Sequence, residues 1–261
     1  MIKIKTVSVV LVLILLMSVF TACGKSREEV LAGFNELIPV ESVADKEEGH
    51  RILSDMESYL DSNLRYVDDE DADYMFFNYL EEAFRIDNEY ISYAEVTERY
   101  ENYLSDLMNA LLVIEIEDEI NPLTEGEGVL RCDWNEVAQR ALLAESVISE
   151  HRETIDSDAY AYLKEHILWH YEYYINLMLM GTSNNPVFAY QTGEFDENAS
   201  AMYESTAQEN PETVVAWAIN EYFTYLDSVD YKLDYNDAKE SKVFYDTCSY
   251  IKTEAGKRVG K

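Results

Sequence analysis

The chain has 261 residues, with 52 acidic against 20 basic side chains and a formal net charge of −32. This excludes the usual nucleic-acid binder, because phosphate contacts depend on Lys and Arg displacing counterions, and it disfavours direct adhesion to anionic headgroups. Hydrophobic residues are 48% of the chain and 21 are tyrosine, which excludes a disordered segment, while only 9 glycines and 4 prolines interrupt it and favour helix.

The first two dozen residues form a separate element. Lys3 and Lys5 precede the apolar run Val9 to Met17, and small Ala22 lies just before Cys23. This is the charged, apolar and small-residue order of a secretory signal peptide over residues 1–22, and the apolar run falls short of the ~20 residues of a membrane span. Phe20-Thr21-Ala22-Cys23 resembles the lipobox of bacterial lipoproteins. That resemblance implies acylation of Cys23, cleavage before it, and a diacylglycerol anchor on the extracytoplasmic face of the cell membrane. More than one acyl chain gives stable attachment. Residues 23–261 are then expected to form a single acidic helical domain, with a candidate sub-boundary at 121–132.

The mature part reads as helices in sequence. Ser26 to Glu29 is a capping box, followed by Val30, Phe34 and Leu37 at helical spacing up to Pro39. The tether from Cys23 is therefore short. A second helix, Ser42 to Leu64, places Ile52, Met56, Tyr59 and Asn63 on one face. The acidic turn Asp68 to Asp71 precedes a helix from Tyr74 to Arg85. The longest pattern, from Tyr93 through Tyr100, Leu104, Leu107 and Leu111 to Ile114, predicts one helix of about six turns. It runs into the acidic stretch Glu115 to Glu119, unfavourable at the negative end of a helix dipole. Asn121-Pro122, Gly126 and Gly128 mark a break.

Asp133 to Glu136 caps the next helix, carrying Val137, Ala141, Ala144 and Ile148. Ser157 or Asp158 caps another that runs to Gly181, a suitable C-terminal glycine. Thr182 to Ser200 reads as a small hairpin or ordered loop pinned by Phe188 and Tyr190. Asn210-Pro211 reads as a cap and first turn, leading to Ala218, Tyr222, Tyr225 and Val229, and Asn236 or Asp237 opens a last helix carrying Phe244, Cys248 and Ile251. The expected fold is all-α, about eight helices in a bundle or stacked hairpins. No tetratricopeptide consensus recurs.

His166 and His170 lie four apart on one helix, a spacing that can chelate a transition metal. Glu165 and Glu172 face away, so a third ligand has to come from another helix. Without one, the aromatic neighbours Tyr162, Trp169, Tyr173 and Tyr174 favour a structural seam. Asp69 to Asp73 has the alternating oxygens of a calcium loop but lacks its glycine and closing glutamate, so a capped helix start is favoured. Cys132 and Cys248 are candidates for a disulfide outside the cytosol, or for two buried thiols.

No catalytic residues are identified, since no phosphate loop, nucleophile elbow or Cys-His pair is present. The tyrosines suit either helix seams or a groove for a protein, peptide or sugar ligand. The functional expectation is a membrane-anchored binding or interaction module. The alternative is a metal-binding protein or metal-dependent hydrolase using His166 and His170, with zinc or calcium as the cofactors in question. Palmitate supplied to producing cells is expected to label the chain through Cys23 and to be lost on Cys23→Ser; an unlabelled wild-type chain of unchanged mass refutes the anchor.

Overall fold

In the computed structural model, which describes residues 25–40, 43, 45–126 and 128–261, the chain is all-α: eleven helices and one two-stranded hairpin. The expected signal peptide and lipobox, with Cys23, lie outside the described residues. No described helix is long and apolar enough to cross a membrane. Where the sequence suggested one domain with a sub-boundary at 121–132, the chain divides into two compact units, the first ending at Ser105 and the second running from Asp106 to Lys261.

The first unit contains α1 (Arg27–Asn35), α2 (Lys46–Asn63), α3 (Asp69–Ile86) and α4 (Tyr93–Tyr100). Ser26 and Glu29 form the expected capping box of α1. Helix α2 starts at Lys46, capped by Asp45, and buries Leu53, Met56 and Leu60 where Ile52 and Tyr59 were expected beside Met56. The face is turned by one residue toward Leu53 and Leu60, leaving Tyr59 at the seam, its hydroxyl donating to the Val30 carbonyl at 3.0 Å.

Asp68 caps α3, so the acidic turn is its first turn rather than a loop before it. That geometry withdraws the calcium loop. Asp71 instead takes a two-point ion pair from Arg27. Asp73 is fully buried, one oxygen accepting the Ser105 N–H at 2.9 Å and the other having no hydrogen-bond partner among the described residues.

The same contact explains why the predicted six-turn helix is two. Helix α4 ends at Tyr100, a single 3-10 turn spans Glu101–Tyr103, and Leu104 is extended (φ −101°, ψ 155°). The Ser105 N–H goes to the Asp73 carboxylate instead of a carbonyl one turn earlier, and a new helix starts at Asp106. Leu104 and Leu107 are both buried, so the apolar period runs through a break in the backbone.

The second unit contains α5 (Asp106–Ile120), the hairpin Thr124–Glu125 and Val129–Leu130, α6 (Trp134–Glu150), the short α7 (Arg152–Ile155), α8 (Ala161–Met180), α9 (Glu197–Glu209), α10 (Val214–Ser228) and α11 (Ala238–Val259). Residues 121–132 are the hairpin that returns α6 onto α5, with Gly126 and Gly128 at positive φ in its turn. Helix α8 packs on α6 and α11, and α9 and α10 close the remaining sides of α6.

The C-terminal end of α8 is buried all round at Leu177, Met178 and Leu179. Its last carbonyls have no partner within the helix and no access to water, so the surrounding elements must satisfy them. Tyr203 Oη donates to the Met178 carbonyl at 2.9 Å, Tyr222 Oη to that of Leu179 at 2.7 Å, and the Val187 N–H to that of Met180 at 3.3 Å. Gly181 then turns the chain at φ 68°, ψ −150°, a region open essentially to glycine; an added Cβ would lie 2.2 Å from the Asn185 carbonyl.

Two further expectations change here. Asn210-Pro211 does not start a helix: Asn210 ends α9, and α10 starts at Val214 behind Thr213. Buried Glu145 of α6 supplies the rest of that cap, accepting the Val214 and Val215 N–H groups at 2.6 and 2.8 Å. Helix α9, capped by Asp196, falls in the stretch read as loop and its sequel. The 182–196 segment is pinned by buried Val187, Phe188 and Phe195, whereas Tyr190 is exposed.

Two experiments probe these polar contacts. Tyr203→Phe strands the Met178 carbonyl and is expected to cost about 1–3 kcal/mol in urea unfolding. Burial raises the Asp73 carboxyl from 3.8 to about 6 despite the opposing Ser105 hydrogen bonds. A raised carboxyl stabilises the fold below the unfolded value and loses that contribution as pH rises through the folded one. Relative to Asp73→Asn, the wild type is therefore expected to lose about 2 kcal/mol between pH 4 and 7. A difference that does not vary with pH refutes this.

Candidate metal centre

Helix α8 presents His166 and His170 on the side facing α5, and α5 presents Glu115 and Asp118 one turn apart toward them. Glu115 extends the buried stripe of Leu107 and Leu111, which carries it inward although its neighbours Glu117 and Glu119 are solvated. One Glu115 oxygen, Oε1, lies 2.7 Å from His166 Nε2 and 3.0 Å from His170 Nε2, and the two Nε2 atoms are 3.3 Å apart. Among the described residues this is the group of His, Cys, Asp and Glu side chains able to hold a metal ion.

Burial grades across the three. The His170 side chain is 5% exposed, Glu115 11% and His166 25%, so the centre opens to solvent on the His166 side. Trp169 stands at that opening, largely exposed and stacked on Tyr173 at 5.9 Å.

A second carboxylate orients the inner imidazole. Asp118 Oδ2 lies 3.3 Å from His170 Nδ1 and accepts the Tyr174 hydroxyl at 2.5 Å. Arg140, 3% exposed, fixes Asp118 at 2.7 Å, takes Glu117 and Glu136 as further partners and donates to the Asn121 carbonyl at 3.0 Å. The acidic end of α5, unfavourable for its helix dipole, is thus compensated from outside by a buried guanidinium and two imidazoles.

Electrostatics follow the geometry. Burial alone would raise the Glu115 carboxyl, but the hydrogen bonds from His166 and His170 outweigh it and hold it below the usual carboxylate range. Burial alone would lower His170, and the hydrogen bonds to Asp118 and Glu115 outweigh that and raise it. The carboxylate is therefore ionised at neutral pH, the form a metal ligand needs.

His166 and His170 were placed together by their spacing, and the structure adds Glu115 and Asp118 from another helix. The signal for those two was their position four and seven residues beyond Leu111, on the inward stripe of α5. The other candidates do not converge. Cys132 and Cys248 are free thiols, not a disulfide: Cys132 sits beside the hairpin and points at the Leu123 carbonyl, while Cys248 is buried in α11 against the Leu179 carbonyl. Of the tyrosines, Tyr100, Tyr160, Tyr171, Tyr174, Tyr222 and Tyr225 are core residues.

No known protein family, no curated protein and no solved structure matches the chain.

Proposed function

We propose that this protein is a lipid-anchored, extracytoplasmic binding module whose ligand is a divalent transition-metal ion, zinc by the character of the donors, held by Glu115 Oε1, His166 Nε2 and His170 Nε2. The observation that carries this is the single oxygen shared by two imidazoles. Four-coordinate zinc with bonds of about 2.0–2.1 Å needs donor atoms about 3.3 Å apart. The three donors, at 2.7, 3.0 and 3.3 Å, lie close to that triangle. Small outward shifts of Glu115 would admit the ion.

The donor types agree with this reading. Two imidazoles, with His170 giving up its Nε2 proton as the ion enters, and a carboxylate suit zinc and its neighbours in the d-block, and fit calcium poorly because calcium takes six or more oxygens. Asp118, accepting from His170 Nδ1, leaves Nε2 with its lone pair free for the metal, and Tyr174 and Arg140 hold that carboxylate in turn. The fourth position faces the solvent-open side at His166. The extracytoplasmic address rests on residues 1–23, whose signal pattern and Cys23 supply the anchor.

Titration of the mature chain with Zn²⁺ by calorimetry is expected to give one saturable site. His166→Ala with His170→Ala abolishes it, and Asp118→Asn, which touches no metal, weakens it about 10–100-fold. Weak, unsaturable uptake that is identical in the double variant overturns the proposal, because it would be the acidic surface alone.

A further inference from the structure

Helix α8 carries an aromatic surface directly beside the three donors and not used by them. Trp169 is 61% exposed and Tyr173 37%, and their rings run nearly parallel, 9° apart in plane, with centroids at 5.9 Å. The indole also meets both imidazoles, edge-on to His170 at 4.9 Å and tilted to His166 at 6.3 Å. Exposed aromatic side chains are ordinary when scattered singly. This one touches two of the three candidate metal donors, and a planar group laid against it would take apolar ring surface out of water.

What such a group is follows from the zinc reading given above, on which this inference rests. Glu115, His166 and His170 are the donors that come together among the described residues, so four-coordinate zinc keeps one position for a ligand from outside. Side-chain exposure rises toward His166, at 25%, and Trp169 stands on that side. The two imidazole rings that would bind the ion already lie within stacking or edge contact of the indole. A third planar ring on the fourth position enters the same neighbourhood.

Charge selects among possible fourth ligands. Glu117, Asp118 and Glu136 surround the single guanidinium of Arg140, and the chain carries a net −32. A carboxylate or phosphate approaches against that field, whereas a neutral donor does not. Imidazole nitrogen is a good zinc ligand without carrying charge, and a ring is needed to use the indole.

We propose that the zinc at Glu115, His166 and His170 takes as its fourth ligand the neutral ring nitrogen of a small imidazole-bearing molecule, of the histidine class, whose ring packs against Trp169. The metal supplies the bond and Trp169 supplies the preference for a ring.

Calorimetric titration of the zinc-loaded mature chain with imidazole at pH 8, beside the zinc-free chain and with acetate as the anionic donor, tests this. Saturable one-to-one binding of imidazole is expected only when zinc is present, and acetate is expected to bind more weakly. Trp169→Leu, an apolar replacement at an exposed position, is expected to leave zinc affinity unchanged and to weaken imidazole binding about three- to tenfold. Trp169→Phe, which keeps a ring, is expected to recover most of that loss. A chain that binds zinc yet gives no imidazole response, prefers acetate, or holds imidazole equally well as Trp169→Leu overturns this proposal alone. A chain that binds no zinc overturns the reading beneath it as well.

Discussion

The second unit depends on burying one helix, α8, together with polar atoms that cannot be left unpaired. A helix end in water leaves its last carbonyls to the solvent, but at Leu177, Met178 and Leu179 there is none. The partners come from α9, α10 and the segment after Gly181, which must therefore lie where their hydroxyl and N–H groups can reach. Each such bond contributes only about 1 kcal/mol net, yet leaving the acceptor unmet costs more, so the set determines which arrangement of helices is allowed. Tyr203 and Tyr222 serve this purpose: a large apolar ring with one hydroxyl fills a core and satisfies a carbonyl at once.

The same constraint further up α8 produces the candidate metal centre. His166 and His170 are turned toward α5, and the inner imidazole is too deep for water to serve both of its nitrogens. Glu115 takes Nε2 and Asp118 takes Nδ1, with Arg140 neutralising the surrounding acids. The arrangement differs from a purely structural imidazole–carboxylate pair in one respect. Two Nε2 atoms share one carboxylate oxygen. The first unit handles its buried charge differently, leaving Asp73 against Ser105 alone, with one carboxylate oxygen unpartnered among the described residues.

Local chemistry was the most legible part of the chain. Ser26, Asp133 and Asp237 cap the helices their side chains announced, because a cap is a contact between residues two or three apart and needs nothing from elsewhere. Asn210-Pro211 misled for the complementary reason: the start of α10 is set by Thr213 together with Glu145 from a distant helix. The break at Leu104 was hidden because apolar periodicity records which residues are buried, and burial continues on both sides of it. Helix α9 passed unnoticed since its buried positions, Ala199, Tyr203, Thr206 and Ala207, include only one large apolar side chain.

By itself the sequence determined the all-α class, the acidic surface, the starts of α1, α4, α6 and α11, and the pairing of His166 with His170, since each follows from composition or from residues within one or two turns of each other. It also carries the signal pattern and Cys23, which no folded contact is needed to read. Tertiary structure alone decided the division at Ser105, the free state of Cys132 and Cys248, the burial of the tyrosines, and the meeting of Glu115 and Asp118 with the histidines. Those facts join residues about 30 or more apart, or place a side chain inside or outside, and they are set by how whole helices pack so that few buried polar atoms are stranded.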